Sequence, residues 1–165
     1  MQKLLGSAAA ALILAGCGGG DNESNTTVAG PAAALQPGEY ELVAKVDNLR
    51  STDKTTPATR LKVGEAVTSK SCIGPDNAVA ATAFAEAGES CTASETYIRN
   101  GRLNLQLRCK QPGKGDVTHA VDGQFKADSF EATVTSGSSF SGTGDYAMTR
   151  SITGRRVGEC SASAV

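Results

Sequence analysis

The feature that most constrains the fold of this chain is a strict alternation of apolar and polar residues in several segments. In residues 40–46 and 103–109 every second residue is apolar, and most of the residues between them are polar. This period indicates β-strands with one buried face, because successive side chains of a strand point to opposite sides. A weaker strand is predicted over residues 61–73. Further alternating runs cover residues 117–125, 129–136 and 146–152.

Short connections separate most of these runs. Pro112-Gly113 and Ala127-Asp128 are typical of turns, and residues 136–144 form a Gly/Ser-rich stretch that predicts a loop. Connections of this length join antiparallel neighbours. We therefore predict a mainly β fold, an antiparallel up-and-down meander of about seven strands that forms a curved sheet or partial barrel. One short helix and two disulfides complete the expected architecture.

The predicted helix covers residues 76–87. Gly74-Pro75 before it is typical of a helix start, the segment itself is rich in alanine, and Gly88 suits the exit. We expect this helix to pack on the sheet as a lid.

The N-terminus has the three parts of an export signal. Lys3 supplies a positive charge, residues 4–14 are apolar, and Leu14-Ala15-Gly16-Cys17 resembles the lipobox at which bacterial lipoprotein precursors are cut and acylated. The apolar run is about half of what a membrane-spanning helix needs. An ordinary secretory signal cut nearby is the alternative.

The lipobox resemblance implies a domain plan and a location. We expect a signal peptide over residues 1–16, a lipidated N-terminus and flexible linker over 17–35, and a disulfide-stapled β domain over 36–165. Cys17 would carry the acyl chains, palmitate among them, that hold the protein in the bilayer. Gly18 stands where such lipoproteins carry aspartate when they are kept at the inner membrane. The expected location is therefore the bacterial cell envelope, on the outer membrane facing the periplasm.

The number of cysteines agrees with this plan. The chain has five, and assigning Cys17 to lipid leaves an even set of four, as two disulfides in an oxidising compartment require. No pair of cysteines has the C-x2-C spacing of a zinc site, so we expect no metal site. The remaining four are Cys72, Cys91, Cys109 and Cys160.

The hairpin around Asn100-Gly101 favours one disulfide pairing. A two-residue turn would place Arg99 opposite Arg102, and like charges in that position repel each other. We therefore predict a three-residue loop of residues 99–101 with glycine at a bulge. The resulting register pairs Cys91 with Cys109.

Elimination then pairs Cys72 with Cys160. Two other pairings stay open, and the stronger of them joins Cys72 to Cys91 and Cys109 to Cys160.

Five motifs follow one another between the linker and the C-terminus. They are Leu35-Gln36-Pro37-Gly38-Glu39-Tyr40-Glu41, Cys72-Ile73-Gly74-Pro75-Asp76-Asn77-Ala78, Cys91, Leu107-Arg108-Cys109 and Gly154-Arg155-Arg156-Val157-Gly158-Glu159-Cys160. Their order resembles the exported bacterial proteins grouped as domain of unknown function family 3617. The resemblance spans Leu35 to Cys160, and Tyr40 and Gly74 stand where the family usually has Trp and Thr. It implies an envelope location, a cysteine-stapled β fold and no established activity.

The sequence gives little evidence of catalytic residues. His119 is the single histidine, and alternation places it on the apolar face of its strand, which is typical of a packed residue with hydrogen-bonded ring nitrogens. Arg155 and Arg156 are weak candidates for gripping an anion, a lipid headgroup or a protein partner. We predict no catalytic residues, no cofactor and no enzymatic activity.

Two classes of function remain. The first is a non-catalytic interaction or structural module that meets an envelope protein as well as the bilayer. The alternative is a carrier of a small apolar ligand inside the curved sheet. Nucleic acid is not an expected partner, because the formal charge of −1 leaves no basic excess to neutralise phosphates.

Overall fold

The protein forms one antiparallel sheet of seven strands. The structure is a computed structural model that describes residues 34–75 and 79–160, so the predicted signal peptide, Cys17, nearly all of the predicted linker and residues 161–165 lie outside the described part. Leu35, expected at the end of the linker, is buried in the core, so the folded unit includes it. The strands are β1 Gly38–Ser51, β2 Ala66–Ile73, β3 Ser90–Arg99, β4 Arg102–Gln111, β5 Gly115–Phe125, β6 Ser129–Phe140 and β7 Tyr146–Gly158.

The predicted meander is confirmed. Strands β3 to β7 follow one another in the sheet, β7 pairs with β1, and β1 pairs with β2, so the order is β2-β1-β7-β6-β5-β4-β3. Neighbours in the sheet are thus neighbours in the chain, apart from the β1–β7 pair that brings the two ends of the domain together. The edges of the open sheet are β2 and β3, the two strands joined by residues 74–89.

The sheet is strongly curved. Six strand spacings would put β2 and β3 about 29 Å apart in a flat sheet. A single 3-10 turn, Ala81–Ala83, nevertheless contacts both edge strands. The sheet therefore curls around its apolar face, and residues 79–89, here called the cap segment, lie across the opening between its edges.

Apolar side chains from the strands and the cap segment fill the concave face. Tyr40 and Phe84 each pack on Phe130, with ring centroids 6.2 and 5.9 Å apart. Phe130 occupies space that a side chain at position 154 would need, since a β-carbon on Gly154 would lie 2.2 Å from its ring. A second, smaller cluster contains Val46, Tyr146 and Met148. The interior is thus built from β-strand alternation, as predicted.

The predicted helix over residues 76–87 is wrong for the residues that the structure describes. Residues 76–78 lie outside the described part, and the cap segment contains only the 3-10 turn Ala81–Ala83. Its start is tied to β2 by a bridge between Val79 and Ile73. Further on, Phe84 and Glu89 both enter the interior. Alanine content favours a helix only weakly, and the contacts of these interior side chains outweigh it.

The β3–β4 hairpin has the predicted cysteine pair but not the predicted turn. The turn has two residues, Asn100 and Gly101 at φ 53° and 73°, and Arg99 does lie opposite Arg102. The Arg99 guanidinium stacks over the Tyr97 ring at 4.4 Å, which offsets the repulsion. The three-residue loop is therefore wrong.

A β-bulge restores the register farther along this hairpin. Pairing shifts by one residue between Ala93 and Glu95, so Cys91 lies opposite Cys109 as expected. The two-residue turn, rather than the bulge, resolves a defect of the predicted register, which set Glu95 against buried Leu105. In the structure Glu95 faces Gln106.

Both disulfides join the cysteines that the sequence favoured. Cys91 and Cys109 have α-carbons 4.0 Å apart, and Cys72 and Cys160 have α-carbons 5.6 Å apart. The second bond spans β1, because both Cys72 and the end of β7 flank Glu39. It ties the edge strand β2 to the strand two places away.

Several strands extend beyond their predicted bounds, as β1 does to Ser51 and β7 to Gly158, and two further differences concern β2 and β6. The weak strand begins at Ala66 rather than at residue 61, because Gly64 at φ 84° forms a turn before it. The Gly/Ser stretch was expected to be a loop, but strand β6 continues into it as far as Phe140. The Ser138 hydroxyl contacts Asp145 and the backbone of Tyr146, so polar side chains suit the inner face at this end.

Candidate functional site

A buried polar cluster lies between the two apolar parts of the concave face. Strand alternation points His119 of β5, Ser136 of β6, and Tyr146 and Arg150 of β7 inward, and each of these residues is at most 3 % exposed. Ser136 lies directly opposite His119, and Arg150 lies between Val46 and Val134. Polar groups in such a place require partners, since burial without a hydrogen bond is costly.

The cap segment supplies those partners. Glu86 and Glu89 stand before β3 and point toward the sheet. The Tyr146 hydroxyl donates to Glu86 Oε1 at 2.5 Å, and the Thr59 hydroxyl donates to Glu86 Oε2 at 2.7 Å. The Glu86 amide donates in turn to Glu89 Oε2 at 2.9 Å. The two carboxylates therefore hold the cap segment against the sheet.

Both ring nitrogens of His119 have partners. Nδ1 lies 2.7 Å from Ser136 Oγ, and Nε2 lies 2.8 Å from Glu89 Oε2. The expectation of a packed histidine with hydrogen-bonded nitrogens is confirmed. A hydroxyl, an imidazole and a carboxylate in a row can relay a proton. All three side chains are enclosed, however, so in this conformation no substrate reaches the serine.

Burial changes the pKa values of Arg150 and Tyr146. Arg150 donates to the backbone oxygens of Phe84 and Ala85 at 2.6 and 3.4 Å. Desolvation lowers the pKa of Arg150 despite the nearby carboxylates of Glu86 and Glu89. Burial and the hydrogen bond to Glu86 raise the pKa of Tyr146 far above its ordinary value. Tyr146 therefore stays a protonated donor in the folded protein.

Two buried polar atoms of the cluster lack a hydrogen-bond partner among the described residues. They are Glu89 Oε1 and Arg150 Nε. Glu89 thus uses one carboxylate oxygen for both of its hydrogen bonds and leaves the other free. A free buried carboxylate oxygen is a potential ligand atom.

Potential ligand atoms of four residues converge next to His119. Glu89, Cys91, Cys109 and His119 each have one such atom within 4.8 Å of the others. The two sulfurs are joined in a disulfide, and in this form they are not metal ligands. This group was not expected, because its members come from the cap segment and three different strands and show no metal-site spacing in the sequence.

The two arginines near the C-terminus do not form one site. Arg155 is exposed and lies 4.0 Å from Glu41. Arg156 is half-buried, donates from Nε to the Pro37 oxygen at 2.9 Å, and pairs with Glu159. Neighbouring residues of a strand point to opposite faces. The two guanidinium groups therefore cannot grip one anion together.

Sequence reasoning found His119 and missed the rest of the polar cluster. Arg150 carried a usable signal, since it stands among Tyr146, Met148 and Ile152 on the inward register of its strand. Glu86 and Glu89 carried none, because the predicted helix ended at residue 87 and the partners of the two carboxylates are distant in sequence. Cys17, the predicted lipidation site, lies outside the described residues. Within residues 34–75 and 79–160, no helix is long and apolar enough to cross a membrane.

Comparison with known proteins identifies a family but no activity. Residues 35–160 match the family described as "Protein of unknown function (DUF3617)". No curated protein and no solved structure matches the chain. The match covers all seven strands and both disulfides. The chain therefore belongs to the DUF3617 family of proteins of unknown function.

Proposed function

We propose that the protein is a bacterial envelope lipoprotein whose β domain acts as a non-catalytic interaction module. In this proposal acylated Cys17 holds the domain at the outer membrane, facing the periplasm. The support for the anchor is the lipobox sequence together with the four remaining cysteines, which form two pairs. The support for the module comes from the edge strand β3.

The exposure of β3 is the observation that carries the interaction proposal. Among the described residues the strand pairs only with β4, and the side chains of residues 92–97 are exposed on both of its faces. Tyr97 is 39 % exposed and borders a shallow depression of about 340 Å³ at the β3–β4 edge. An edge strand of this kind can accept an extended segment of a partner by backbone hydrogen bonding. Its bulge and the charge of Glu95 would limit unspecific pairing.

The filling of the interior favours a module over a carrier of apolar ligands. Tyr40, Phe84 and Phe130 pack against one another inside the curved sheet. The depression beside Tyr97 is lined mainly by polar residues such as Glu95 and Gln106. A site for an apolar ligand is instead concave and mostly apolar.

The burial of the hydroxyl–imidazole–carboxylate row supports a non-catalytic role. Ser136 is 2 % exposed and His119 is fully enclosed. A nucleophile has to reach its substrate, and the cap segment covers this one. The row is better suited to fixing the cap segment than to chemistry.

The anchor is tested by labelling cells that produce the full chain with a palmitate analogue. Label is expected on the wild type and absent from Cys17→Ser, which should also leave the membrane fraction. Label on the Cys17→Ser variant, or none on the wild type, would overturn the lipoprotein assignment.

The module is tested by placing a photo-crosslinking amino acid at position 97 in living cells. A discrete crosslinked partner is expected, and the same probe at Thr133, exposed on the outer face of β6, is the matched control. The purified protein is weighed by native mass spectrometry in parallel. An apolar molecule bound in stoichiometric amount, without a crosslink at position 97, would favour the carrier and refute the module.

A further inference from the structure

We propose that Glu89, Cys91, Cys109 and His119 form a tetrahedral site for Zn²⁺ once a dithiol has reduced the Cys91–Cys109 disulfide. In the oxidised protein His119 Nε2 lies 2.8 Å from Glu89 Oε2, and Cys91 Sγ lies 3.9 Å from that oxygen. All four ligand atoms lie within 4.8 Å of one another. This inference goes beyond the interaction module and does not depend on it.

The geometry is close to that of a zinc site. Zinc bond lengths of about 2.3 Å to sulfur and about 2.0–2.1 Å to nitrogen or oxygen set ligand atoms about 3.3–3.8 Å apart in a tetrahedron. The carboxylate and imidazole atoms need to separate by less than about 1 Å to meet this requirement. Only the sulfurs are much too close, because they are bonded. Reduction and side-chain rotation would separate them.

The set of donors fits zinc chemically. Two thiolates, one imidazole nitrogen and one carboxylate oxygen are all common zinc ligands. Glu89 Oε2 is the oxygen that faces the imidazole, and Oε1 is buried without a hydrogen-bond partner among the described residues, so the carboxylate can bind the metal through either oxygen. A disulfide needs neither a carboxylate nor an imidazole beside it, and a buried ion pair is often no more stable than apolar residues of the same size. Metal binding would explain why the carboxylate of Glu89 and the imidazole of His119 both lie beside these cysteines.

Outer contacts would orient two of the ligands. The Ser136 hydroxyl lies 2.7 Å from His119 Nδ1 and can either donate to it or accept from it. With zinc bound, Nδ1–H donates to Ser136 and the Nε2 lone pair faces the metal, the arrangement that metal-bound histidines usually adopt. The Glu86 amide donates to Glu89 Oε2 at 2.9 Å, and this contact orients the carboxylate.

The reduction has an accessible entry point. Cys91 is half-buried on the edge strand β3, whereas Cys109 is 1 % exposed. A thiolate of the dithiol attacks Cys91 Sγ, the S–S bond breaks, and Cys109 leaves as a thiolate. The second thiol of the reductant then displaces Cys91 and forms the reductant's own disulfide.

This exchange is balanced. Two electrons and two protons pass from the dithiol to the cysteines. Zn²⁺ binding then releases the two thiol protons to solvent, and the proton with which His119 Nε2 faces Glu89 leaves that nitrogen, so that Nδ1 carries the ring proton and Nε2 binds the metal.

The test titrates the full chain, solubilised in detergent and reduced with a water-soluble phosphine, with Co²⁺ in the absence of oxygen. We expect saturation at one ion per chain, with the visible bands of tetrahedral cobalt and a thiolate charge-transfer band. Zn²⁺ should displace the cobalt and raise the melting temperature of the reduced protein. The oxidised protein should show neither effect.

Variants identify the ligands. Cys72→Ser/Cys160→Ser removes the other cysteine pair and should keep both bands, whereas Cys91→Ser, tested in that background, should lose them. His119→Gln and Glu89→Gln should each weaken Co²⁺ binding at least tenfold. Ser136→Ala should weaken it by about 10- to 100-fold, the usual effect of losing an outer contact.

Three results would overturn the proposal. One is a reduced wild type without thiolate–cobalt bands. Another is binding that survives Cys91→Ser and disappears with Cys72→Ser/Cys160→Ser. The last is a reduced protein that unfolds and that Zn²⁺ does not restore, because metal binding to this site should stabilise the fold.

Discussion

Cys91 lies opposite Cys109, with α-carbons 4.0 Å apart, across a hairpin that has a two-residue turn and a bulge between Ala93 and Glu95. The two-residue turn alone would set Cys91 against residue 110. The extra residue between Ala93 and Glu95 shifts the pairing by one position and so places Cys91 opposite Cys109. The bulge, rather than the turn, therefore brings the two sulfurs together.

Deleting Ser94 should leave this disulfide in place. Ser94 is the unpaired residue of the bulge, so its removal lets Ala93 keep Leu107 and Cys91 keep Cys109 as partners. Non-reducing peptide mapping of the variant should show the Cys91–Cys109 link. Free thiols at these positions would mean that Ser94 does not act as a simple insertion.

The turn should depend on its glycine. Gly101 has φ 73°, a conformation in which a β-carbon costs about 1–2 kcal/mol. Gly101→Ala should lower the free energy of unfolding by that amount, measured by denaturant titration. Gly142→Ala is the matched control, because nothing lies within 4 Å of a β-carbon built there. Equal losses in the two variants would contradict this account of the turn.

The pair formed by His119 and Glu89 should show strong coupling. Each single change to leucine leaves a buried polar partner without its hydrogen bond and should cost about 3–5 kcal/mol. The double variant should lose clearly less than the sum of the two. A double-mutant cycle in denaturant measures the difference. Additive losses would mean that the 2.8 Å contact does not link the two side chains energetically.

Asp53 should make stability sensitive to acid. Its carboxylate accepts hydrogen bonds from Thr55 and from the Gly144 and Asp145 amides, and the bonds from Thr55 are the main reason for its lowered pKa. The stabilising effect is present above the ordinary aspartate pKa of about 3.9 and is lost as pH falls through the lower pKa of the folded state.

The measurement for Asp53 is a series of melting temperatures against pH. Asp53→Asn should melt below the wild type at neutral pH, and the gap should close in strong acid. Asp122→Asn on the exposed face of β5 is the control and should change little. A gap that persists unchanged at low pH would show that the charge of Asp53 is not responsible.

The strands were predictable because their signal is local. Alternation in residues 103–109 and 117–125 reports which face of each strand is buried, and that face does not depend on distant details. The cysteine pairing followed from counting along one hairpin, although the turn and the bulge that produce it were not foreseen. The turn type and the position of the bulge depend on a balance of small local interaction energies, such as the stacking of Arg99 on Tyr97.

The cap segment and the polar cluster were not predictable in the same way. Alanine-rich residues before β3 favour a helix when considered alone. Interior partners for Glu86 and Glu89 outweigh that preference, and those partners lie on strands that are distant in sequence.

The sequence by itself therefore determined the strands, the meander and the set of cysteines, since each depends on spacing along the chain. The tertiary structure alone decided which polar groups meet. Curling of the sheet brings the cap segment, β3, β4 and β5 to one point, and only there do Glu89, Cys91, Cys109 and His119 become neighbours. Their proximity is a property of the closed interior, where a buried polar group must find a partner from another part of the chain.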